Sequence, residues 1–382
     1  MLVLAGLRAV GATPAEAASG LLTLCICQAA LAIILSLVFR IPLSFAWSSP
    51  GAALLIAAHT TTHNFSAAVG AFLVCGVLIA ITGLWPALTR AITRIPTPIA
   101  SAMLAGILFP ICLAPIEASV KLPWLALPIV LVWLILFGLA PRWAVPAALV
   151  VTIVVVGIRA GTGWLQGSLV APQLTFVPPS FEPLVIVSLG IPLFLVTMAG
   201  QNVPGFAVLK TFGYDDPPAR TLLVSSGLVS AAGSLFGAHV VNLAALSAAI
   251  MAGPDSHPDR SKRWIATLTG GVTYVLLGLA AGLAASLVSA TPPLLITTVA
   301  GLAMLGALVS AVAASLKDPN NRIVAIATFL VVASGIVIVG IGSPFWGLLV
   351  GGIVMLWLTW NRRRRERKLA AAPLPAAAPE PE

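Results

Sequence analysis

Charge is what this chain has least of. Asp, Glu, Lys and Arg together make up 8% of its 382 residues, against 59% hydrophobic residues and a mean hydropathy of +1.08. A soluble domain carries about 25% charged residues, so the composition excludes an ordinary water-soluble globule. Acids are the rarer sign, 11 against 20 bases. Glu16, Glu117 and Glu182 fall near the ends of apolar runs or in connections, and Asp215, Asp216, Asp255, Asp259 and Asp318 fall in loops. No carboxylate is therefore expected at membrane depth to carry a proton. Cysteine is sparse as well. Cys25, Cys27, Cys75 and Cys112 all lie inside apolar runs, where thiols behave as small hydrophobes, so neither a disulfide framework nor a metal motif is expected. The Leu, Ile, Val and Ala runs lack strict two-residue alternation, which argues against a β-barrel and for an all-helical bundle with the bilayer as solvent. Met1 to Val10 does not read as a cleavable signal.

Apolar runs recur from end to end. With Pro, Gly and charge as punctuation they read as 1–12, 18–39, 44–62, 66–88, 97–116, 123–139 and 144–160. A Pro- and Gly-rich connection, 161–183, leads to a second series at 184–201, 219–237, 239–252, 263–288, 293–316, 322–340 and 344–361. Two sevens joined by a polar linker set the second half upside down against the first, the inverted-repeat plan of many secondary transporters. The basic residues test this threading, because Lys and Arg collect in cytoplasmic loops. With a cytoplasmic C-terminus the inside receives Arg40, Arg90, Arg94, Arg142, Lys210, Arg220, Arg260, Lys262, Arg263, Lys317, Arg322 and the cluster Arg362 to Lys368. Only Arg8, Lys121 and Arg159 fall outside. The net charge of +9 thus marks orientation, and nucleic acid is excluded as a partner. After Lys368 the Ala/Pro-rich tail reads as disordered.

The third segment of each half is broken. In the first, Phe45-Ala46-Trp47-Ser48-Ser49-Pro50-Gly51 predicts extended chain up to Ser49, which caps a helix beginning at Pro50. In the second, Gly237-Ala238-His239-Val240-Val241-Asn242 repeats the design, with Asn242 as the cap and a helix running to about Met251. Inverted repeats would face the two N-termini near the midplane, where each carries about half a positive charge and amides free to bind an anion. Taken singly, each cap is also what an ordinary kinked membrane helix would show. Gln201 and Asn202 are adjacent amides in apolar surroundings and need partners, either substrate oxygens or the broken backbone of the half-helices. His239 is the histidine nearest this site and the candidate for proton coupling, the alternative being a neutral imidazole that satisfies a loop carbonyl. His59 and His63, near the outer end of the third segment, and His257, in a cytoplasmic loop, read as solvated.

Three stretches carry a resemblance: Pro42-Leu43 leading to Ala46-Trp47-Ser48-Ser49-Pro50-Gly51-Ala52-Ala53-Leu54-Leu55, Met198-Ala199-Gly200-Gln201-Asn202-Val203-Pro204-Gly205, and Asn242-Leu243-Ala244-Ala245-Leu246-Ser247-Ala248-Ala249-Ile250. In this order, over nearly the whole chain, they resemble the bacterial benzoate/proton symporter family, called BenE. The resemblance implies the seven-plus-seven inverted-repeat fold shared with nucleobase and sulfate transporters, with half-helices as the third and tenth segments. It implies a core domain of 1–92 and 184–290, a gate domain of 93–160 and 291–361, an extracytoplasmic linker at 161–183 and a cytoplasmic tail at 362–382. Members of this family usually begin with a full first helix, and only about a dozen residues precede Thr13, so the first helix here is expected to be truncated.

The function expected is uptake of benzoate or a similar aromatic carboxylate with a proton across the bacterial inner membrane, by alternating access. Trp47, Ser48, Ser49, Pro50, Gly51, Gln201, Asn202, His239 and Asn242 are the expected substrate contacts, with the ring in an apolar pocket drawn from Phe45, Trp47, Phe206 and Phe236. No cofactor, metal or covalent chemistry is expected. The expected partners are the carboxylate, the proton and the lipid bilayer, with a homodimer left open. A nucleobase or inorganic-anion carrier of the same fold is the rival within transport, although a nucleobase carrier would use a membrane-depth carboxylate. A membrane enzyme would need a nucleophile or cofactor motif that the sequence does not offer, and a channel is disfavoured by helices that break at mid-membrane.

Overall fold

The computed structural model describes residues 1–58, 62–85, 87–88, 96–161 and 172–370. It is mostly helical. Helices α1 (Leu2–Ala9) and α2 (Pro14–Phe39) lead to a short strand β1 (Phe45–Trp47), then α3 (Ser49–Ala57), α4 (Phe65–Leu84), α5 (Thr97–Lys121), α6 (Pro123–Leu139) and α7 (Pro141–Ala160). The second part runs α8 (Pro183–Thr211), α9 (Ala219–Ser234), β2 (Val241–Leu243), α10 (Ala245–Ala252), α11 (Trp264–Leu279), α12 (Ala281–Ala290), α13 (Pro293–Leu316), α14 (Arg322–Ala333), β3 (Val337–Ile338), β4 (Ile341–Gly342) and α15 (Ser343–Ala370). Among the described residues seven helices, α2, α4, α5, α7, α8, α13 and α15, are long and apolar enough to cross a membrane. A further span results if α11 and α12, bent by 53°, are taken together. His59, Arg90, Arg94, residues 162–171 of the linker and the tail after Ala370 lie outside the described residues.

Local chemistry explains where these helices start and stop. Thr13 and Glu16 form a reciprocal capping box with Pro14 at the first helical position, so α2 starts four residues before the expected 18. The eighth segment was expected to end at Gln201, yet α8 continues to Thr211 through Pro192 and Pro204. Each proline follows a π-helical stretch, Ile186–Gly190 and Met198–Asn202, in which the next amide bonds five residues back, Ile191 N to Ile186 O and Val203 N to Met198 O. The widened turn makes room for a ring that would clash in a regular helix, so the prolines do not end the span.

Elsewhere expected helix gives way. The thirteenth segment stops at Ala333 because Gly335 adopts φ 65°. Val339 and Gly340, both at positive φ, then close a two-residue hairpin between β3 and β4 where helix was expected to residue 340. The described end of the linker is strapped across the bundle. Thr175 N donates to Ser19 Oγ, Val177 N to Leu235 O and Ser180 N to Ser66 O, tying 175–180 to α2, α4 and the end of α9.

Packing relies on small residues, as expected where lipid gives helices no hydrophobic reason to associate. The backbones of α4 and α9 nearly touch at Gly76 and Gly227. A methyl group on Gly76 would sit 2.6 Å from Ala231 N and 2.8 Å from Gly227 O. Gly76→Leu should therefore lower the thermal unfolding midpoint in detergent, at a cost of about 1–3 kcal/mol. Gly138→Ala, where nothing lies within 4 Å of the added carbon, should leave it unchanged. Equal midpoints for the two variants would disprove the close crossing.

Candidate functional site

The two broken segments meet as strands. β1 and β2 pair antiparallel with Phe45 opposite Leu243, Ala46 opposite Asn242 and Trp47 opposite Val241. The ladder extends one step each way, with Ser48 N donating to Val240 O at 3.2 Å and Ala244 N to Ser44 O at 2.9 Å. Side chains alternate across such a ribbon. Ser44, Ala46, Ser48, Val240, Asn242 and Ala244 share one face, and Phe45, Trp47, Val241 and Leu243 share the other. α3 leaves from one end of the ribbon and α10 from the other. With nine and eight residues they are about 12–14 Å long.

Both helix starts differ from expectation by one or two residues. Ser48, not Ser49, caps α3, its Oγ accepting from Gly51 N at 3.1 Å, and Pro50 is the second helical residue. Ser48 wins because it is the last residue with extended φ and ψ, so its hydroxyl reaches the third amide of the first turn. Asn242 is no cap at all. It lies within β2, α10 is preceded by Ala244, and no side chain of its own caps it.

A turn of α8 supplies what the tips lack. Thr197 Oγ1 donates to Ser48 Oγ at 2.9 Å, at the start of α3. Four residues later, Gln201 Oε1 accepts from Ala245 N, the first amide of α10, at 3.3 Å. Asn202 Oδ1 accepts from Leu243 N at 3.0 Å. Both amides thus satisfy broken backbone. One helical turn advances about 5–6 Å, so the two tips lie within reach of a single turn. A second hydroxyl pair, Ser44 Oγ to Ser247 Oγ at 2.7 Å, marks the α10 end. Gly200 faces the same space. A Cβ there would stand 3.7 Å from both Pro50 Cγ of α3 and Leu104 Cδ2 of α5.

Ser48, Thr197, Asn202 and Asn242 are all buried. Asn242 Nδ2 donates to Leu243 O at 3.0 Å, while its Oδ1 has no partner among the described residues. The far end of α10 is held too. Arg263, buried, donates to the α10 carbonyl of Ala252 at 2.7 Å and to His257 O at 2.9 Å, placing a cation at the helix C-terminus.

The structure thus brings together Ser48, Ser49, Pro50, Gln201, Asn202 and Asn242, with Gly51 held at the cap, and adds Ser44, Thr197, Gly200 and Ser247, while Arg263 holds the opposite end of α10. It does not bring in His239 or Trp47. The His239 ring packs edge-on against Phe72 of α4 at 6.4 Å, its Nδ1 accepting from Val240 N. Trp47 points to the ribbon's other face, edge-on to Tyr274 at 6.0 Å. There it lines an apolar cavity of about 460 Å³ together with Leu21, Cys25 and Leu277. Of the other residues expected around the ring, Phe45 is enclosed in the core and Phe236 lies against Phe176. Thr197 was missed because one threonine in an apolar helix carries no signal until its partner is known.

The chain is 38% identical over 357 residues to the inner membrane protein YdcO of Escherichia coli, covering 93% of this chain and 90% of that protein. It is 33% identical over 323 residues to the benzoate membrane transport protein of Acinetobacter baylyi, covering 84% of this chain and 80% of the other. A family model described as benzoate membrane transport protein matches residues 1–357. The chain therefore belongs to the BenE family of benzoate membrane transport proteins.

Proposed function

We propose that this protein is a secondary transporter of the bacterial inner membrane that imports benzoate or a closely similar aromatic carboxylate together with a proton. The observation that carries the reading is the turn of α8 from Thr197 to Asn202, hydrogen-bonded to the start of α3 and to the start of α10 across one ribbon. Such a place suits a carboxyl group. First-turn amides lack intrahelical acceptors, two helix dipoles point their positive ends at it, and hydroxyls and amides stand by without any lysine or arginine to hold the anion too tightly. Gly200 presents no side chain between Pro50 of α3 and Leu104 of α5, and the ring would be seated against it.

In this reading the two sevens are inverted repeats and α3 and α10 their half-helices. Residues 1–92 with 184–290 form a core that carries the site, and 93–160 with 291–361 form the gate against which it moves. Leu104 would be a gate residue that meets the site in one position and leaves it in the other. The distribution of basic loops supports a cytoplasmic C-terminus.

Labelled benzoate should enter proteoliposomes faster when the outside is made acidic, after subtraction of the flux through protein-free vesicles. No excess over those vesicles would refute the transport reading. Gln201→Ala and Asn242→Ala should each weaken benzoate binding about tenfold, the loss of one hydrogen bond to the carboxyl group, with thermal stability retained. Native affinity in both would remove these residues from the site. A fluorescent protein fused after the last residue should fold and fluoresce in cells, and a dark fusion with normal expression would place that end outside.

A further inference from the structure

Resting on that reading, one question stays open: what carries the proton. We infer that the substrate does, and that this site takes an aromatic carboxylic acid in its neutral, protonated form. Two observations lead there. The first is the absence of a competing group among the described residues around Asn242. β1, β2, α3 and α10 contain no acid or base. On α8 the nearest are Lys210 in its last turn and Glu182 before its first, about 13 Å and about 28 Å along the helix from Gln201. α9 contributes Arg220 at its start, and α2 contributes Glu16, engaged in its capping box, and the thiols Cys25 and Cys27. α1, packed on α3, contributes Arg8, which donates to Ala12 O, and the Met1 amino group, which lies with Trp47 at the cavity beyond the ribbon, and Arg263 is bonded to the opposite end of α10. α11, packed on α10, offers the Tyr274 phenol, which sits with Trp47 beyond the ribbon. On α5, Glu117 and Lys121 pair with each other at 3.1 Å. His239 faces Phe72 on α4, away from the Ser48 and Asn242 face.

The second observation is Asn242 itself. Its Nδ2 is committed to Leu243 O, which fixes the amide orientation and leaves Oδ1 as a bare acceptor, fully buried and without a donor among the described residues. A carboxylate has no hydrogen to give it, and two electron-rich oxygens in a low-dielectric site repel. A carboxylic acid fits. Its O–H donates to Asn242 Oδ1 while its carbonyl accepts from first-turn amides of α10 beyond Ala245, whose own N–H is held by Gln201, so one group serves an orphan acceptor and first-turn donors together. The proton balance closes without the protein: carboxylate and a proton from the outer water combine on entry, and the acid releases the same proton to the cytoplasmic water. One proton moves per substrate, and the moving site carries no net charge.

The test is equilibrium binding to the purified full-length protein in detergent, by calorimetry, at about pH 5.5 and about pH 7.5. The neutral form of an acid with a pKa near 4 falls about tenfold per pH unit above it, so the apparent Kd for total benzoate should rise about a hundredfold between the two. Benzamide, neutral and able to donate and accept, should compete equally at both pH values. Benzenesulfonate, a permanent anion, should not compete at either. In Asn242→Leu the benzamide competition should vanish. A flat benzoate Kd with benzenesulfonate competing would overturn the inference while leaving the transport reading intact. A pH dependence abolished in His239→Gln would also overturn it, by handing the proton to the imidazole. No benzoate binding at either pH would instead strike the function proposed above.

Discussion

Inside a bilayer no water is available to a stray peptide group, so every main-chain donor and acceptor at depth must find a partner within the protein. Helices meet this rule by themselves; a ribbon of two short strands does not. The crossing of β1 and β2 is the place where this chain breaks the helical solution, and the surrounding polar chemistry answers it. Alternate amides pair across the ribbon, as Ser48 N with Val240 O and Ala244 N with Ser44 O. The outward amides of β2 turn to side chains, Val241 N to Ser230 Oγ and Leu243 N to Asn202 Oδ1, and before β1 Leu43 N turns to Ser36 Oγ. Serines and asparagines that would weaken an apolar helix are there because non-helical backbone demands them.

That demand explains what was legible in the sequence and what was not. The broken segments could be read because Ser-Ser-Pro-Gly after Trp47, and Asn242 after a Gly-Ala-His run, interrupt otherwise continuous hydrophobicity. Gln201 and Asn202 could be read as amides in need of partners because burial penalises them regardless of fold. The cap itself slipped by one residue, since Ser48 and Ser49 are chemically identical and only the turn decides which hydroxyl reaches Gly51 N. Asn242 slipped further. A cap and a strand residue look alike at this position, and only the pairing with Ala46 across the ribbon separates them. Thr197 was invisible for the same reason in stronger form, because its role is defined by Ser48, 149 residues away in sequence, and Arg263 because only the fold turns it back onto Ala252.

The long helix α8 shows how proline is used rather than endured. Pro192 and Pro204 each follow a π-helical stretch, and the second of these is the stretch that presents Gly200, Gln201 and Asn202. In a regular helix Gln201 and Asn202 would project about 100° apart and could not both reach the β2–α10 junction without one straining. Widening the turn brings Leu243 N and Ala245 N within reach of consecutive side chains. The element that looks like a defect in the hydropathy pattern is therefore the one that aims the site. It also gives the proposed gate motion a local reference, since α8, β2 and α10 are hydrogen-bonded to one another.

A histidine is the usual suspect for a proton at neutral pH, and here its position argues against it. The residue that precedes a strand points its side chain by the strand's own alternation, so His239 is sent to the face of Val241 and Leu243 and ends against Phe72. Asn242 is three residues on and therefore opposite. Moving His239 to the site would require sliding β2 by one residue, which would turn Leu243 and Val241 into the polar crossing and Asn242 into the core. The register that satisfies the ribbon's amides thus also decides which polar side chain faces the proposed site, and it selects an amide that cannot titrate.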